Sequence, residues 1–396
     1  MDFELPEELA EVQKLARDFA EKEIAPKAAK DDQEHTFRKD LVTKMGALGF
    51  YGCLVPEEYG GNGLGFLAYA LISEEIARVH SAIRVHLNMQ AGPAVTLAEF
   101  GSEEQKKKFI PALLSGAVVG CFAITEPDAG SDVAAMKTTA RRDGDGYLLN
   151  GTKIWITNAT VADAGIIFAY TDRAQKHRGM SAFYVDLNQP GVSRRELDKL
   201  GTHATPTGEL VFENFRIPRE RLIGQERDGF KICMRHLNHT RLGCAAGAVG
   251  LARAAFDAAV SYSNQREQFG QKIGQFQMNQ DLIAQMVVQE EAARLLVYRA
   301  AQLADRGRPY NLEVSMAKYA GGEAAAFCAD AALKMLGAYG YSTEFPVERY
   351  YRDAKFYQIV EGSVNIQKLI IAQHALGYRN ANRWASERTA AQATWH

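Results

Sequence analysis

The sequence predicts a multi-domain α+β protein in which an α-helical N-terminal domain, an antiparallel β domain and a second helical domain follow one another. Three observations lead to this fold class. The 396 residues are too many for one compact core. Apolar residues recur at helical spacing at both ends of the chain, and the middle consists of short strand-like runs. We place the domains at 1–120, 121–229 and 230–396, the last resembling a four-helix bundle.

The N-terminal domain is predicted from the periodicity of its apolar residues. After Pro6 these residues recur at intervals of three and four, and Pro26 follows the last of them, which indicates an amphipathic helix. The helical period returns at 37–48 and again at 66–79. Residues 51–65 lie between those two segments and contain many glycines and other turn-forming residues, which interrupt the pattern.

The middle domain is rich in Val, Ile, Thr and Phe, and turn residues such as those at 143–146 punctuate it. Four segments have the composition of strands: 147–157, 165–170, 180–185 and 208–212. No long helical segment separates them, which favours an antiparallel sheet over a βαβ unit.

The C-terminal domain is predicted from long, alanine-rich helical stretches. They lie at 230–265, 275–306, 312–337 and about 366–376. Several of these stretches are apolar over much of their circumference, so we expect part of that surface to face another subunit.

Charge and segment composition exclude several classes of partner. The chain has 46 Lys and Arg against 48 Asp and Glu, and this balance disfavours nucleic acids and acidic membranes. The most apolar stretch, 242–260, is interrupted by Arg253 and Asp257, so no membrane insertion is expected. The N-terminus lacks the pattern of a signal peptide. We therefore expect a cytoplasmic protein.

Cysteines and histidines give no sign of a disulfide framework or a metal site. The five cysteines are odd in number and form no C-x-x-C pair, which favours buried free thiols. Only His236 and His239 are close in sequence, and no third ligand accompanies them, so we expect no metal. Phosphate-loop, zinc-protease and nucleophile-elbow motifs are absent from the sequence. The glycines at 60–65 are interpreted as a surface turn.

Three stretches carry polar groups that packing alone explains poorly. Residues 122–132 gather hydroxyls and small side chains where the first two domains should meet, and such groups can bond to a heterocycle or a phosphate. Residues 155–158 place an aromatic ring and a hydroxyl on one face of a predicted strand, where they could flank a flat ring. Residues 360–366 place a carboxylate directly before a helix, where it could act as a base. Each stretch taken singly is also typical of an ordinary structural role.

Together, in this order and spacing, the stretches resemble the acyl-CoA dehydrogenase family, over essentially the whole chain. The two most specific motifs are Ile124-Thr-Glu-Pro-Asp-Ala-Gly-Ser-Asp132 and Arg352-Asp-Ala-Lys-Phe-Tyr-Gln-Ile-Val-Glu-Gly-Ser363. The resemblance implies the family's α, β, α succession of domains. It also implies an FAD cofactor held between domains and against a neighbouring subunit, and a homotetramer.

The resemblance implies a reaction as well. The family oxidises an acyl-CoA thioester between its α and β carbons, and its catalytic glutamate matches Glu361, which would remove the α proton. Hydride from the β carbon would pass to flavin N5, and an electron-transferring flavoprotein would reoxidise the flavin. A flavin ribityl hydroxyl and the backbone N–H of Glu361 would polarise the thioester oxygen.

Cofactor-binding positions carry over from the family's motifs. Thr125 and Thr157 match hydroxyls that contact the flavin ring, and Trp155 matches the aromatic residue beside it. Arg266 matches the arginine that meets the FAD pyrophosphate across a subunit interface, a role suited to its charge-assisted hydrogen bonds. The other positions expected at the cofactor are Phe122, Ile124, Ile156, Phe269, Gln277, Lys334, Gly337, Ser363 and Asn365. Lys334 stands where several relatives have glutamine.

Substrate-binding positions are assigned by the same resemblance. Ser131 matches a residue near the pantetheine and phosphates of CoA. Asn238 and Arg241 match the pair that contacts CoA, although many relatives have an acid at the first position. Gly362, directly after the base, is also expected to line the substrate.

The late position of Glu361 disfavours the long-chain and isovaleryl-type branches of the family, which carry the base on an earlier helix. At the matching earlier region, Gly247 and Ala248 cannot serve as a base. Segments 237–241, 276–280 and 336–342 most resemble the glutaryl-CoA dehydrogenase branch.

A distal carboxylate on the substrate is then expected, and Arg84 lies in the region that forms the acyl end of the pocket. Decarboxylating members often have a tyrosine before the catalytic glutamate and polar groups near the carboxylate. Here Val360 precedes Glu361 and Val85 follows Arg84, which favours stopping at the enoyl-CoA. Dehydrogenases of benzylsuccinyl-CoA and of cyclohexane-carboxyl-CoA belong to the same branch and remain alternatives.

Two interpretations from other classes also stay open. A flavoprotein of this fold that reacts with O2, an oxidase or monooxygenase, would reoxidise rapidly in air. A non-catalytic binding protein that keeps the fold would be colourless, and the presence of Thr125, Trp155, Arg266 and Glu361 argues against it.

Overall fold

The structure is a computed structural model that describes residues 4–378. Its first part is helical, as predicted. The α-helices there are α1 (Glu7–Phe19), α2 (Ala28–Gln33), α3 (Lys39–Ala47), α4 (Gly65–Val79), α5 (Ser81–Phe100) and α6 (Glu103–Leu114). A π-helical turn and a short 3₁₀ segment continue the chain from α1 to α2, at Ala20–Ile24 and Ala25–Lys27.

An eight-stranded sheet follows. Its strands are β1 (Gly120–Ala123), β2 (Thr139–Asp143), β3 (Gly146–Thr157), β4 (Ala164–Tyr170), β5 (Met180–Asp186), β6 (Val192–Glu196), β7 (Thr207–Ile217) and β8 (Leu222–Ile223). They are ordered β6-β7-β3-β2-β4-β5-β8, with β1 against β4. The prediction of a wholly antiparallel sheet is wrong in one respect, because β1 and part of β2 pair with β4 in parallel. β1 leads in from α6 and reaches β4 by a crossover instead of a hairpin.

The C-terminal part is helical again, as predicted. Its elements are α7 (Gly229–Gln265), a hairpin of β9 (Glu267–Gln268) and β10 (Gln271–Lys272), α8 (Gln277–Asp305), α9 (Asn311–Leu336), α10 (Val347–Ile359) and α11 (Val364–Ala375). The sequence pattern does not predict α10. The segment 379–396 of the expected third domain lies outside the described residues.

Helix α7 is long and apolar enough, by composition, to cross a membrane. The mean hydropathy of its most apolar window is 1.3, but 72% of that window is buried inside the described structure. It packs against α4, α5 and α9 and is the central helix of the core.

Helix α5 is buried over most of its length and is missed by sequence periodicity. It carries Arg84, His86, Asn88 and Gln90, each no more than 2% exposed. Polar side chains on an interior helix disguise the apolar period that predicts amphipathic helices. Their burial places polar chemistry directly beside α7.

Candidate active site

Glu361 lies on a tight turn between two helices. Its φ is +56° and that of Gly362 is +85°. Ser363 ends the turn and caps α11 by accepting a hydrogen bond from the backbone of Ile366. A left-handed glutamate is strained, and such strain persists only where surrounding contacts hold it, often at active sites.

The Glu361 carboxylate is held by two donors. Thr240 Oγ1 donates to Oε2 at 2.7 Å, and Asn88 Nδ2 donates to Oε1 at 3.3 Å. The backbone oxygen of Glu361 accepts from Arg241 Nε at 3.1 Å. The side chain is only partly buried. A carboxylate that is fixed in direction yet open on one side can take a proton from a bound molecule.

Asn88 joins this carboxylate to α5, α4 and α7. Its Nδ2 also donates to the Thr240 carbonyl at 3.0 Å, and its Oδ1 accepts from the Tyr69 hydroxyl at 2.5 Å. A Cβ on Gly243 would lie 2.5 Å from that hydroxyl oxygen, so only glycine fits there. Burial raises the pKa of Tyr69, which keeps its hydroxyl protonated as a donor.

Arg84 lies one helical turn before Asn88 on α5, about 6 Å along the helix axis. It is 1% exposed, and its Nε and Nη1 have no hydrogen-bond partner among residues 4–378. Its guanidinium lies 5.2 Å from the ring centroid of Tyr357. A Cβ on Gly247 would lie 2.6 Å from Arg84 Nε, so this glycine makes room for the arginine. A buried guanidinium without a carboxylate is costly and calls for an anionic partner.

In the β domain, Lys153 of β3 holds the loop that follows β1. Its Nζ is fully buried and donates to Glu126 Oε1 at 2.7 Å and to the Ile124 carbonyl at 3.2 Å. The backbone N–H of Ile154 donates to the Thr125 carbonyl at 2.9 Å. Burial lowers the pKa of Lys153 to about 8, and the Glu126 carboxylate opposes this shift. The motif that begins at Ile124 is therefore fastened to β3.

The exposure of Trp155 favours contact with a bound flat ring over packing in the protein core. It is 56% exposed and has a φ of +59°, where the pairing of β3 with β7 shifts register between Lys153 and Ile156. Thr157 lies two residues further along β3, and the carbonyl of Thr125 is bonded to Ile154 beside Trp155; both threonines are half-buried. An exposed indole with two hydroxyl-bearing residues is suited to a heterocycle, so these residues fit an isoalloxazine ring.

The residues expected at the pyrophosphate lie on the hairpin after α7. Arg266 is exposed, with its guanidinium 5.6 Å from the Tyr339 ring centroid, and Phe269 is 94% exposed at a φ of +53°. Gln277 is exposed at the start of α8. A surface guanidinium and an exposed phenyl ring close together in the chain suit a phosphate-bearing cofactor that also contacts a second protein surface.

Three other residues predicted to bind the cofactor already contact other residues of this chain or are buried in its core. Phe122 stacks on His236 with ring centroids 3.6 Å apart, and Ile156 is 2% exposed in the core of the β domain. Burial lowers the pKa of His236 to about 3, so it stays neutral. Lys334 is paired with Asp330 at 2.6 Å. The cofactor roles of these side chains stay predictions.

The predicted CoA-contacting pair forms a short chain of hydrogen bonds. Arg241 Nη1 donates to Asn238 Oδ1 at 3.1 Å, and Asn238 Nδ2 donates to Asn311 Oδ1 at 2.8 Å. Ser131 is exposed on the loop after β1. Of the remaining positions, Gly337 has a φ of +61°, Ile124 is half-buried and Asn365 is exposed.

Sequence reasoning missed Thr240, Asn88, Tyr69 and Lys153. Thr240 is bonded to a residue 121 positions away and Asn88 to one 273 positions away, so no local pattern could reveal either contact. A usable signal existed only for Asn88, which lies one turn after the singled-out Arg84 on the same helix face.

We expect Lys153→Met to loosen FAD. The change would leave the buried Glu126 carboxylate without its cation, which costs about 3–5 kcal/mol in such pairs, and would free the loop at Thr125. FAD retention after dialysis and unfolding midpoints test this. The matched control is Lys137→Met, which breaks an exposed pair with Asp128 in the same loop and should change little. Lowered stability with full FAD retention would mean that the Lys153 pair serves only the fold.

The chain is similar to known proteins over all three of its parts. Three family models match consecutive segments: the acyl-CoA dehydrogenase N-terminal domain at 6–117, the middle domain at 121–215 and the C-terminal domain at 227–376. The matches together cover most of the chain.

Individual relatives are similar over nearly the full length. The glutaryl-CoA dehydrogenase of Desulfococcus multivorans is 55% identical over 97% of this chain and 100% of its own. A solved glutaryl-coenzyme A dehydrogenase in complex with glutaryl-CoA is 54% identical, with a TM-score of 0.94 over 97% of this chain and 98% of that one. A chain from the solved electron transferring flavoprotein of Acidaminococcus fermentans is 42% identical, with a TM-score of 0.93 over 95% of this chain and 100% of that one.

Proposed function

Because this chain belongs to the acyl-CoA dehydrogenase family, whose members are FAD-dependent oxidoreductases, we propose that its substrate is glutaryl-CoA and its product the corresponding enoyl-CoA. The protein dehydrogenates an acyl-CoA thioester. We propose below the identity of this thioester, the residues that act on the thioester and the product at which the reaction stops.

The observation that carries the substrate assignment is the unpaired, buried guanidinium of Arg84. It lies about one helical turn from the Asn88 amide that holds the Glu361 carboxylate. A short dicarboxylic acyl chain could place its α carbon at Glu361 and its distal carboxylate at Arg84, where two parallel hydrogen bonds can form. The high identity to a glutaryl-CoA dehydrogenase supports the same substrate.

In the proposed reaction Glu361 removes the α proton. Its carboxylate, directed by Thr240 and Asn88, becomes protonated as the C–H electrons move into the new α,β double bond. FAD, when bound, supplies the acceptor for the hydride that leaves the β carbon. The backbone N–H of Glu361 is proposed to polarise the thioester oxygen, and Arg241 fixes that peptide by binding its carbonyl.

We propose that the carboxylate is retained. Arg84 would stabilise it in its charged form, whereas loss of CO2 would leave a carbanion that needs a proton donor. Val85 is 4% exposed and Val360 packs against the core of the C-terminal domain, so the sequence neighbours of Arg84 and Glu361 add no second proton donor to the Glu361 carboxyl group.

The proposal includes a homotetramer and an electron-transferring flavoprotein as electron acceptor. Large apolar side chains are exposed on the C-terminal domain, where a second subunit could cover them. Within the described part of this domain, the largest exposures are at Phe269, Met278, Val288 and Tyr341. The likeness to a chain in a solved electron transferring flavoprotein supports a flavoprotein partner.

A cytoplasmic location is also proposed. All five cysteines are buried free thiols, as the sequence predicted, which is typical of a reducing compartment. Burial raises the pKa of the Cys121 thiol to about 12, so the thiolate does not form there near neutral pH.

An anaerobic titration with glutaryl-CoA tests the function. We expect the flavin absorbance near 450 nm to bleach on addition of glutaryl-CoA, without release of CO2 in the same vessel. CO2 release would contradict the argument from Val85 and Val360. An unchanged flavin spectrum would contradict the substrate and turn attention to benzylsuccinyl-CoA and cyclohexane-carboxyl-CoA. Rapid reoxidation of the reduced protein in air would favour an oxidase.

A further inference from the structure

Two buried polar atoms behind the catalytic turn have no hydrogen-bond partner among residues 4–378. They are Lys318 Nζ on α9 and Gln367 Oε1 on α11. Lys318 is 1% exposed and Gln367 is 0% exposed. One atom is a donor and the other an acceptor, so each supplies what the other lacks. Leaving both unpaired in the interior would be costly.

The packing of α9 against α11 brings the two side chains to the same level. Lys368 Nζ lies 5.0 Å from the ring centroid of Tyr319, and a Cβ on Gly322 would lie 3.4 Å from Val364 Cγ1. The pairing of 319 with 368 and of 322 with 364 means that the helices run antiparallel. Lys318 directly precedes Tyr319, and Gln367 directly precedes Lys368. The lysine and the glutamine therefore lie beside the same helix–helix contact.

Gln367 reaches directly into the catalytic turn. Its Nε2 donates to the Gly362 carbonyl at 2.8 Å. A Cβ on Gly362 would lie 2.6 Å from that nitrogen, so the amide is packed tightly against the turn. With Arg241 on the Glu361 carbonyl, two consecutive carbonyls of the left-handed turn are each held by a side chain.

Lys318 shares its surroundings with the charged groups of the site. Four groups act on it electrostatically: Cys244 and Arg241 of α7, Glu361 of the turn and Glu323 of its own helix. Burial lowers the pKa of Lys318, and the thiol and the two carboxylates oppose that shift. Its amine is thus located in the interior and not in solvent.

We propose that Lys318 and Gln367 are positioning residues, in which one bridging water accepts from Lys318 Nζ and donates to Gln367 Oε1, and Gln367 holds the turn that aims Glu361. This inference rests on the proposed role of Glu361 as the base. The lysine orients the amide, the amide fixes the Gly362 carbonyl, and the strained backbone then keeps the carboxylate directed at the α carbon.

The test compares Lys318→Met, Gln367→Leu and the double variant by anaerobic stopped-flow reduction with glutaryl-CoA. We expect each single change to lower the limiting rate of flavin reduction by roughly 10- to 100-fold, because small misplacements of a reacting group have effects of that size. The apparent dissociation constant of the substrate should stay nearly unchanged. The double variant should be no slower than the slower single variant, since both break one network. Lys318→Arg should restore part of the rate.

Lys355→Met is the control, because Lys355 is an exposed lysine of α10 bonded only to Gln358 among the described residues. It should reduce its flavin at the unaltered rate. Unchanged rates in Lys318→Met, or losses that multiply in the double variant, would overturn the proposal. If Lys318→Met does not fold, the limiting rates of flavin reduction in Gln367→Leu and Lys318→Arg test the proposal in its place. Normal reduction in Glu361→Gln would refute the proposed base itself, an outcome distinct from failure of the positioning pair.

Discussion

Replacing Glu361 with glutamine is expected to abolish most flavin reduction while leaving FAD in place. A positioned general base contributes roughly 10²- to 10⁴-fold, and an amide cannot accept the α proton, so the limiting rate should fall by about that factor. The measurement is stopped-flow absorbance at 450 nm under anaerobic conditions with saturating glutaryl-CoA.

The site can accommodate this change without rearrangement. Glutamine could accept from Asn88 through its oxygen and donate to Thr240, whose hydroxyl can serve as donor or acceptor. Bound FAD and the apparent dissociation constant of the CoA ester should therefore match those of the unaltered protein, although the flavin no longer bleaches at the original rate.

Glu361→Asp is the informative companion to that variant. It keeps a carboxylate but withdraws it by one methylene from Thr240 and from the substrate. We expect an intermediate rate, because the base remains and its reach is lost. A Glu361→Gln protein that reduces its flavin at the original rate would place the base on another residue.

The division into helical, β and helical parts follows from periodicity alone, and the structure confirms it. Helices α7, α8 and α9 are long and strongly patterned, so their spans agree with those predicted within a few residues. Helix α5 could not be predicted in this way. Its interior position removes the polar face on which amphipathic periodicity depends, and the buried residues Arg84, His86 and Asn88 replace part of the apolar face.

The site was only partly accessible from sequence for a related reason. The position of Glu361 directly before a helix marked it as one possible base, and only the resemblance of its motif to the family's assigned that role. Its donors, Thr240 and Asn88, come from two other helices and have no motif in common with it. Likewise, the exposure of Trp155 depends on a register shift in β3 that side-chain alternation does not reveal.

Replacing Arg84 with methionine is expected to reverse the preference for a carboxylated substrate. In the unaltered protein, valeryl-CoA, which has a methyl group in place of the glutaryl carboxylate, would leave the buried guanidinium unpaired. In Arg84→Met, glutaryl-CoA would bury a carboxylate against a thioether. Breaking a buried charge pair costs about 3–5 kcal/mol, so kcat/KM for glutaryl-CoA should fall by about 10²-fold to about 5 × 10³-fold. The value for valeryl-CoA should hold or rise.

The stability of the same variant separates a binding role from a structural one. Arg84 has two donors without partners, so removing its charge should leave the substrate-free protein at least as stable, by thermal unfolding. Arg84→Lys should lie between the two, because an ammonium offers a point charge without the planar fork that binds a carboxylate through two bonds. Equal losses for both substrates would mean that Arg84 shapes the pocket without recognising charge. If Arg84 is reserved for the carboxylate of the substrate, kcat/KM should fall only for glutaryl-CoA, and the stability of the substrate-free protein should be retained.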